Sequence, residues 1–343
     1  MPVAFRWKEV MRAALAVAFA VAAGSLAISA AAAEESVPGQ QERTLAAFEL
    51  VAGPFPRPET PVPLDVKVLS EELLGGGIVR RKVAYHTDSA EKTVGAYLLL
   101  PDMTPGEMRP AVIVFHSTQP AGKDQPAGLA DDADKHIALH LAERGYVTLA
   151  PDYPSFGEYE HDFASDAYES GVMKAVYDNV RAVDLLCSLP EVDPERIGAI
   201  GHSLGGHTAI FTALYEPRIK AVVSNCGFTR FHRYYGGDLT GWTSDRYFPR
   251  IATEYGKDPD KVPFDFPDLI AALAPRAFLA SSPLHDDNFD VTGVKETIAA
   301  ARPAYERLGA GDKLRANYPD CGHEFPPEVR KVAYEFLDEH LGH

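Results

Sequence analysis

The apolar and polar positions of this chain change rhythm near residue 110. Before that point, Leu64 to Leu74, Ile78 to Tyr85 and Thr93 to Leu100 are strand-like runs separated by Gly75-Gly76-Gly77 and by a polar turn around Asp88. Such runs bounded by turn residues predict an antiparallel start to a sheet. Beyond it, short apolar runs alternate with longer amphipathic ones. Ala111 to Phe115 and Tyr146 to Ala150 have the all-apolar character of strands buried on both faces, and Asp134 to Arg144 reads as a helix. Tyr168 to Leu189 predicts a long helix, with Val172, Ala175, Val176, Val180, Val183 and Leu186 at helical spacing. Strands follow at Arg196 to Ile200 and Ile219 to Ser224, with a helix-like run from Thr208 to Tyr215 between them. Ala277 to Ser281 and Leu314 to Tyr318 complete the strands, and Val294 to Leu308 and Pro327 to Leu341 the helices. Repeated β-α units joined by right-handed crossovers give an α/β fold, a mostly parallel sheet with helices on both faces.

Two segments stand outside this rhythm. Glu34 to about Pro63 is rich in Pro, Gly and polar residues and reads as an extended lead-in, with one short helix possible from Thr44 to Val51. Ahead of it, Arg6, Lys8 and Arg12 precede an alanine-rich apolar stretch ending in Ala31-Ala32-Ala33, the layout of a signal peptide cleaved after Ala33. The expected organisation is a signal peptide over 1–33, a lead-in over 34–63 and a catalytic domain over 64–343, exported to the periplasm or beyond the cell.

Composition narrows the partners. With 343 residues, 46% hydrophobic and 24% charged, the chain can bury a large core. Its formal charge of −16 disfavours nucleic acid and anionic membranes as partners, and loss of the basic leader makes the remainder more acidic. Three cysteines, Cys187, Cys226 and Cys321, form no CxxC pair, so metal knuckles and thioredoxin-like redox chemistry are not indicated. In an exported protein two of them could join; Cys226 and Cys321 are the candidate pair, both being expected on loops at one end of the sheet.

The chemistry gathers around Gly201-His202-Ser203-Leu204-Gly205-Gly206, which lies between a predicted strand and a predicted helix. This fits Gly-x-Ser-x-Gly, a nucleophile elbow in which a sharp turn exposes the serine hydroxyl and small neighbours let the turn close. A serine needs a base, and the base needs an orienting group. His323 lies in a loop between the last strand and the last helix, preceded by Gly322 and followed by Glu324-Phe325-Pro326. The carboxylate should come from the loop Ser282 to Asp290, where Asp286 is favoured over Asp287 and Asp290. The resulting order Ser203, Asp286, His323 is the one expected of α/β-hydrolases.

On Gly-His-Ser-Leu-Gly-Gly at 201 to 206, Val192 to Ile197, the aspartate loop and Gly322 to Pro326, the chain from about Arg109 onward resembles the α/β-hydrolase superfamily. Within it, the sequence is similar to the dienelactone-hydrolase and prolyl-oligopeptidase-like esterases, a group that includes acetyl-xylan-esterase relatives. The resemblance implies an eight-stranded, mostly parallel sheet with a cap-like insertion, and a serine hydrolase working through an acyl-enzyme with neither cofactor nor metal. It departs from dienelactone hydrolase at the elbow, where that enzyme has cysteine and this chain has Ser203.

The oxyanion hole should draw one N–H from Leu204 and one from Ser117 or Thr118, in the loop after the Ala111 to Phe115 strand. His116 reads as a structural residue of that loop. His136 and His140 stand at the i, i+4 spacing of a metal pair, without a third ligand at recognisable spacing. The insertion from about 228 to 268 is rich in aromatic residues and reads as a cap, so that Tyr153, Trp242 and Tyr247 become candidates to line a substrate pocket. These residues together indicate hydrolysis of a small or carbohydrate-linked carboxylic ester. The alternatives are a peptidase of prolyl-oligopeptidase type, or a non-catalytic binding protein on the same fold.

Overall fold

Strand residues that point to opposite faces sort the core into two layers. In β4 (Arg109–Phe115), Ala111, Ile113 and Phe115 pack on one side of the sheet while Val112 and Val114 pack on the other. All five are fully buried, as a parallel strand covered by helices on both faces requires. The computed structural model describes residues 37–165 and 167–343, and Thr44–His343 forms one compact unit. The leader read from the sequence over 1–33 lies outside the described residues.

The remaining strands are β1 (Lys67–Leu73), β2 (Val79–Tyr85), β3 (Val94–Leu100), β5 (Val147–Pro151), β6 (Val192–His202), β7 (Ile219–Asn225), β8 (Ala277–Ser281) and β9 (Leu314–Asn317). They form one nine-stranded sheet in the order β1-β2-β3-β5-β4-β6-β7-β8-β9. β1, β2, β3 and β5 pair antiparallel, and the pairs from β5/β4 onward are parallel. The sheet thus has one strand more than the eight of the expected fold, and exposed β1 forms its edge. The chain order reverses at β4, which lies between β5 and β6. Such a switch point opens a crevice at the carboxyl ends of the strands, where α/β folds bind ligands.

Helices α1 (Val37–Ala52), α3 (Gly171–Ser188), α4 (Leu204–Tyr215), α5 (Phe266–Leu273) and α6 (Val291–Arg307) contribute to one layer. Helices α2 (Ile137–Glu143) and α7 (Pro327–Leu341) contribute to the other. One sequence expectation changes here. The segment read as an extended lead-in is helical over Val37–Ala52, and Phe48, Val51 and Ala52 are fully buried. Phe48 has ring centroids of Phe211, Phe248 and Phe264 at 5.2, 5.6 and 5.1 Å. The short helix expected from Thr44 to Val51 is thus present but extends beyond both of those ends, and the aromatic partners of Phe48 are more than 150 residues away in sequence. Among the described residues no helix is long and apolar enough to cross a membrane.

Candidate active site

The elbow is compressed on every side. β6 ends at His202 and α4 starts at Leu204, leaving Ser203 alone to reverse the chain at φ 56° and ψ −118°. A non-glycine residue rarely adopts this conformation. A Cβ on Gly201 would overlap the backbone of Gly205, and one on Gly205 would overlap the carbonyl oxygen of Phe115. On Gly206 it would stand 2.7 Å from Cα of Gly227. The glycines therefore let the ends of β4, β6 and β7 close on α4, and the N–H of Ser203 donates to Asn225 O at 2.9 Å. As the first residue of α4, Leu204 has a backbone N–H without an intrahelical acceptor, at the positive end of the helix dipole.

His323 reaches the same end of the sheet from the loop between β9 and α7. Its Nδ1 lies 3.0 Å from both Oδ1 and Oδ2 of Asp286. Oδ1 of Asp286 also accepts the N–H groups of Asn288 (2.9 Å) and Phe289 (3.0 Å). The carboxylate is 1% exposed and the imidazole 24%, so the carboxylate is sealed while the ring keeps partial access to solvent. With Nδ1–H donating to the carboxylate, Nε2 is the acceptor on the far side of the ring. Asp287 is exposed, and Asp290 caps α6 by accepting the N–H of Thr292 at 2.7 Å. The histidine loop is tied to the elbow through Asn225, whose Nδ2 donates to Glu324 O at 3.1 Å. The His323 ring centroid lies 4.8 Å from that of His202, next to Ser203. Among the described residues no hydrogen bond joins Ser203 Oγ to His323; such bonds are often long in free enzymes and tighten with substrate.

The β4 loop supplies the other wall. Its His116 is stacked on Tyr153 with centroids 4.0 Å apart, and its Nδ1 contacts Ser117 O at 2.8 Å. Burial holds His116 neutral, its pKa lowered to about 4. Among the described residues, no acceptor takes the backbone N–H of Ser117 or Thr118. A cavity of about 50 Å³ is lined by Ser203, Leu204, Thr118, Trp242 and Tyr247, among others. A second, of about 20 Å³, is lined by Tyr153, Phe156 and Val176 and shares Leu204, His207 and Tyr247 with the first.

The 228–268 segment serves both cavity and core. Trp242 and Tyr247 face the cavity, while Phe231, Phe248 and Phe264 are buried in the main cluster. Sequence reasoning missed Asn288 and Phe289, which line the cavity beside Ser203, although they lie in the aspartate loop. His207, in α4, also borders the site. Its Nδ1 contacts Gly227 O at 3.0 Å, its ring borders both cavities, and burial lowers its pKa to about 4.

The cysteine pairing is corrected: Cys187, Cys226 and Cys321 are all free thiols. Cys226 is directed instead at Glu324 O (3.5 Å) and receives Asn225 Nδ2 (3.3 Å). Ligand atoms of Cys226, Asp286 and His323 lie within 4.8 Å of one another, the one grouping of metal-ligating type among the described residues. Two of its members are already bonded to each other. His136 Nε2 contacts Ala130 O at 2.7 Å, and His140 Nδ1 lies 3.4 Å from the Tyr334 hydroxyl.

Known proteins give this geometry a lineage. The chain is 28% identical over 260 residues to "Putative hydrolase YtaP" of Bacillus subtilis, covering 72% of this chain and 83% of that one. A glucuronoyl esterase from Solibacter usitatus has a similar structure, with TM-score 0.69, 20% identity, and coverage of 88% and 91% of the two chains. An acetyl xylan esterase from Paenibacillus sp. R4 has TM-score 0.60 and 21% identity, over 81% and 90%. At these identities the two structures establish the shared α/β-hydrolase fold. The prolyl oligopeptidase family model matches residues 133–343, the stretch that carries the elbow, the aspartate loop and the histidine loop. This protein therefore belongs to the prolyl oligopeptidase family and is a hydrolase of α/β fold.

Proposed function

We propose that the protein is a serine hydrolase of short-chain carboxylic esters, with Ser203 as nucleophile, His323 as general base and acid, and Asp286 as the orienting carboxylate. The observation that carries this reading is the Asp286 carboxylate clasping Nδ1 of His323 beside a serine held at positive φ. Ser203 Oγ attacks the ester carbonyl carbon as Nε2 of His323 takes its proton, and Asp286 stabilises the imidazolium. The N–H of Leu204 and that of Ser117 or Thr118 receive the oxyanion. His323 returns the proton to the departing alcohol, then activates the water that releases the acid from Ser203.

The cavity beside Ser203, about 50 Å³, supports a small acyl group. The likeness to an acetyl xylan esterase and a glucuronoyl esterase supports an ester borne on carbohydrate. Turnover of p-nitrophenyl acetate, butyrate and octanoate tests the reading. The acetate is expected to be the best substrate, and Ser203→Ala should abolish turnover. Absence of ester turnover by the folded wild type, or full activity in Ser203→Ala, would overturn it. The family match favours peptide-bond hydrolysis as a second reading. Hydrolysis of peptidyl amides in preference to esters would select that reading.

A further inference from the structure

Away from the Ser203, Asp286 and His323 cluster, the fold buries a complete ion pair against the loop that follows β4. Lys123 and Asp152 have fully buried side chains. Asp152 follows β5, the strand paired with β4, and holds Lys123 at two points. Its Oδ1 accepts the backbone N–H of Lys123 at 2.8 Å, and its Oδ2 accepts from the Lys123 ammonium at 2.7 Å. Oδ2 also accepts the N–H of Glu158 at 3.1 Å, and Glu158 Oε2 accepts from the ammonium at 3.0 Å. Gly122 and Gly157 both approach so closely that a Cβ on either would overlap Oδ1 of Asp152. The backbone of both loops is thus moulded to this carboxylate.

A buried ion pair is a poor source of stability, because desolvation offsets most of its attraction and an apolar pair of similar volume often does as well. What this pair does supply is position. Lys123 lies in the same short loop as Ser117 and Thr118. The loop is wound on itself by Ser117 Oγ donating to Gln125 Oε1 (2.6 Å), and by Gln119, which accepts from Ala121 N and donates to Gly122 O (both 3.0 Å). Its start is held by His116 stacked on Tyr153, the residue after Asp152. The outer end of this wound loop meets the sheet through Lys123. Ser117 and Thr118, whose N–H groups have no acceptor among the described residues, lie in sequence between the two anchors, and Thr118 lines the same cavity as Ser203 and Leu204.

We propose that Lys123 and Asp152 are positioning residues that hold the second oxyanion donor, the N–H of Ser117 or Thr118, in register with the N–H of Leu204. The proposal rests on the serine-hydrolase reading of the site. An oxyanion donor acts only in the transition state, so displacing it lowers kcat and leaves ground-state binding nearly unchanged.

The test is the double variant Lys123→Met with Asp152→Leu, assayed on p-nitrophenyl acetate together with inhibition by a trifluoromethyl ketone, whose hemiketal anion needs the same two donors. We expect kcat to fall about 10²-fold or more, KM to stay within about threefold, and the inhibition constant to rise in step with the fall in kcat. Should that variant not fold, Gly157→Ala keeps both charges and pushes on Oδ1 of Asp152; the same separation of kcat from KM is expected. A folded variant with kcat within about threefold of wild type would overturn the proposal. So would a loss of kcat without weaker binding of the ketone. Failure of the serine-hydrolase reading would be seen separately, as wild-type protein that turns over no ester.

Discussion

Three aspartates within five residues compete for one histidine, and the backbone between them decides. Asp286 turns inward because its Oδ1 accepts the N–H groups two and three residues ahead, which leaves its carboxylate facing His323. Asp290, by contrast, is consumed at the start of α6. Asp286→Asn keeps the shape but removes the charge proposed to stabilise the imidazolium, and an amide donor disfavours the tautomer that the proposed role of His323 needs. We expect kcat on p-nitrophenyl acetate to fall about 10⁴-fold, as for comparable triads, against a change within a few-fold for Asp287→Asn. Greater loss in the Asp287 variant would reverse the assignment. The elbow was legible at this scale because glycine at 201, 205 and 206 is a local requirement. The identity of the acid was not, since it depends on turn geometry that three similar residues could each have satisfied.

At the scale of elements, α1 is the case where the pattern showed only a part: a short helix was readable from Thr44 to Val51, but its full length and its burial were not. Its surroundings in sequence are polar, yet Phe48 sits among Phe211, Phe248 and Phe264. Two of these come from the 228–268 segment, so the helix packs against the segment whose Trp242 and Tyr247 line the cavity beside Ser203. Phe48→Ala should destabilise the protein by about 3–5 kcal/mol, the usual cost of emptying an aromatic core position. Urea unfolding measures it, and a loss under 1 kcal/mol would show that the helix does not form part of the core. The parallel strands and the long helices were readable because their hydrophobic runs are continuous and their partners are generic. The double use of 228–268 was not, because aromatic residues have the same composition whether they line a cavity or fill a core.

For the whole molecule, burial of neutral imidazoles sets a pH dependence. His116 and His207 are buried, and their pKa values are lowered from 6.5 to about 4, chiefly by loss of hydration and, for His116, also by the Lys123 cation. Between pH 6.5 and 4 the unfolded chain therefore binds more protons at these two positions than the folded one. Their stabilising effect is complete above pH 6.5 and is lost as the pH falls towards 4, at about 1.4 kcal/mol per pH unit for each histidine. Urea midpoints at pH 7 and pH 5 should differ accordingly, with lower stability at pH 5. Equal midpoints would show that these rings are hydrated in solution. Both rings border the proposed oxyanion loop or the cavities beside Ser203, so acid should loosen the site as part of the same transition.

The sequence alone determined the α/β rhythm, the elbow at Ser203 and the order in which the proposed nucleophile, acid and base occur. These rest on local chemistry: periodicity of apolar residues, glycine where chains must touch, and loops that follow strands. The tertiary structure decided which aspartate meets His323, that Phe48 belongs to the core, that the three cysteines remain thiols, and that Lys123 and Asp152 are buried together. Each of these depends on contacts between residues far apart in sequence, where several candidates are chemically alike and only the packing of the folded chain distinguishes them.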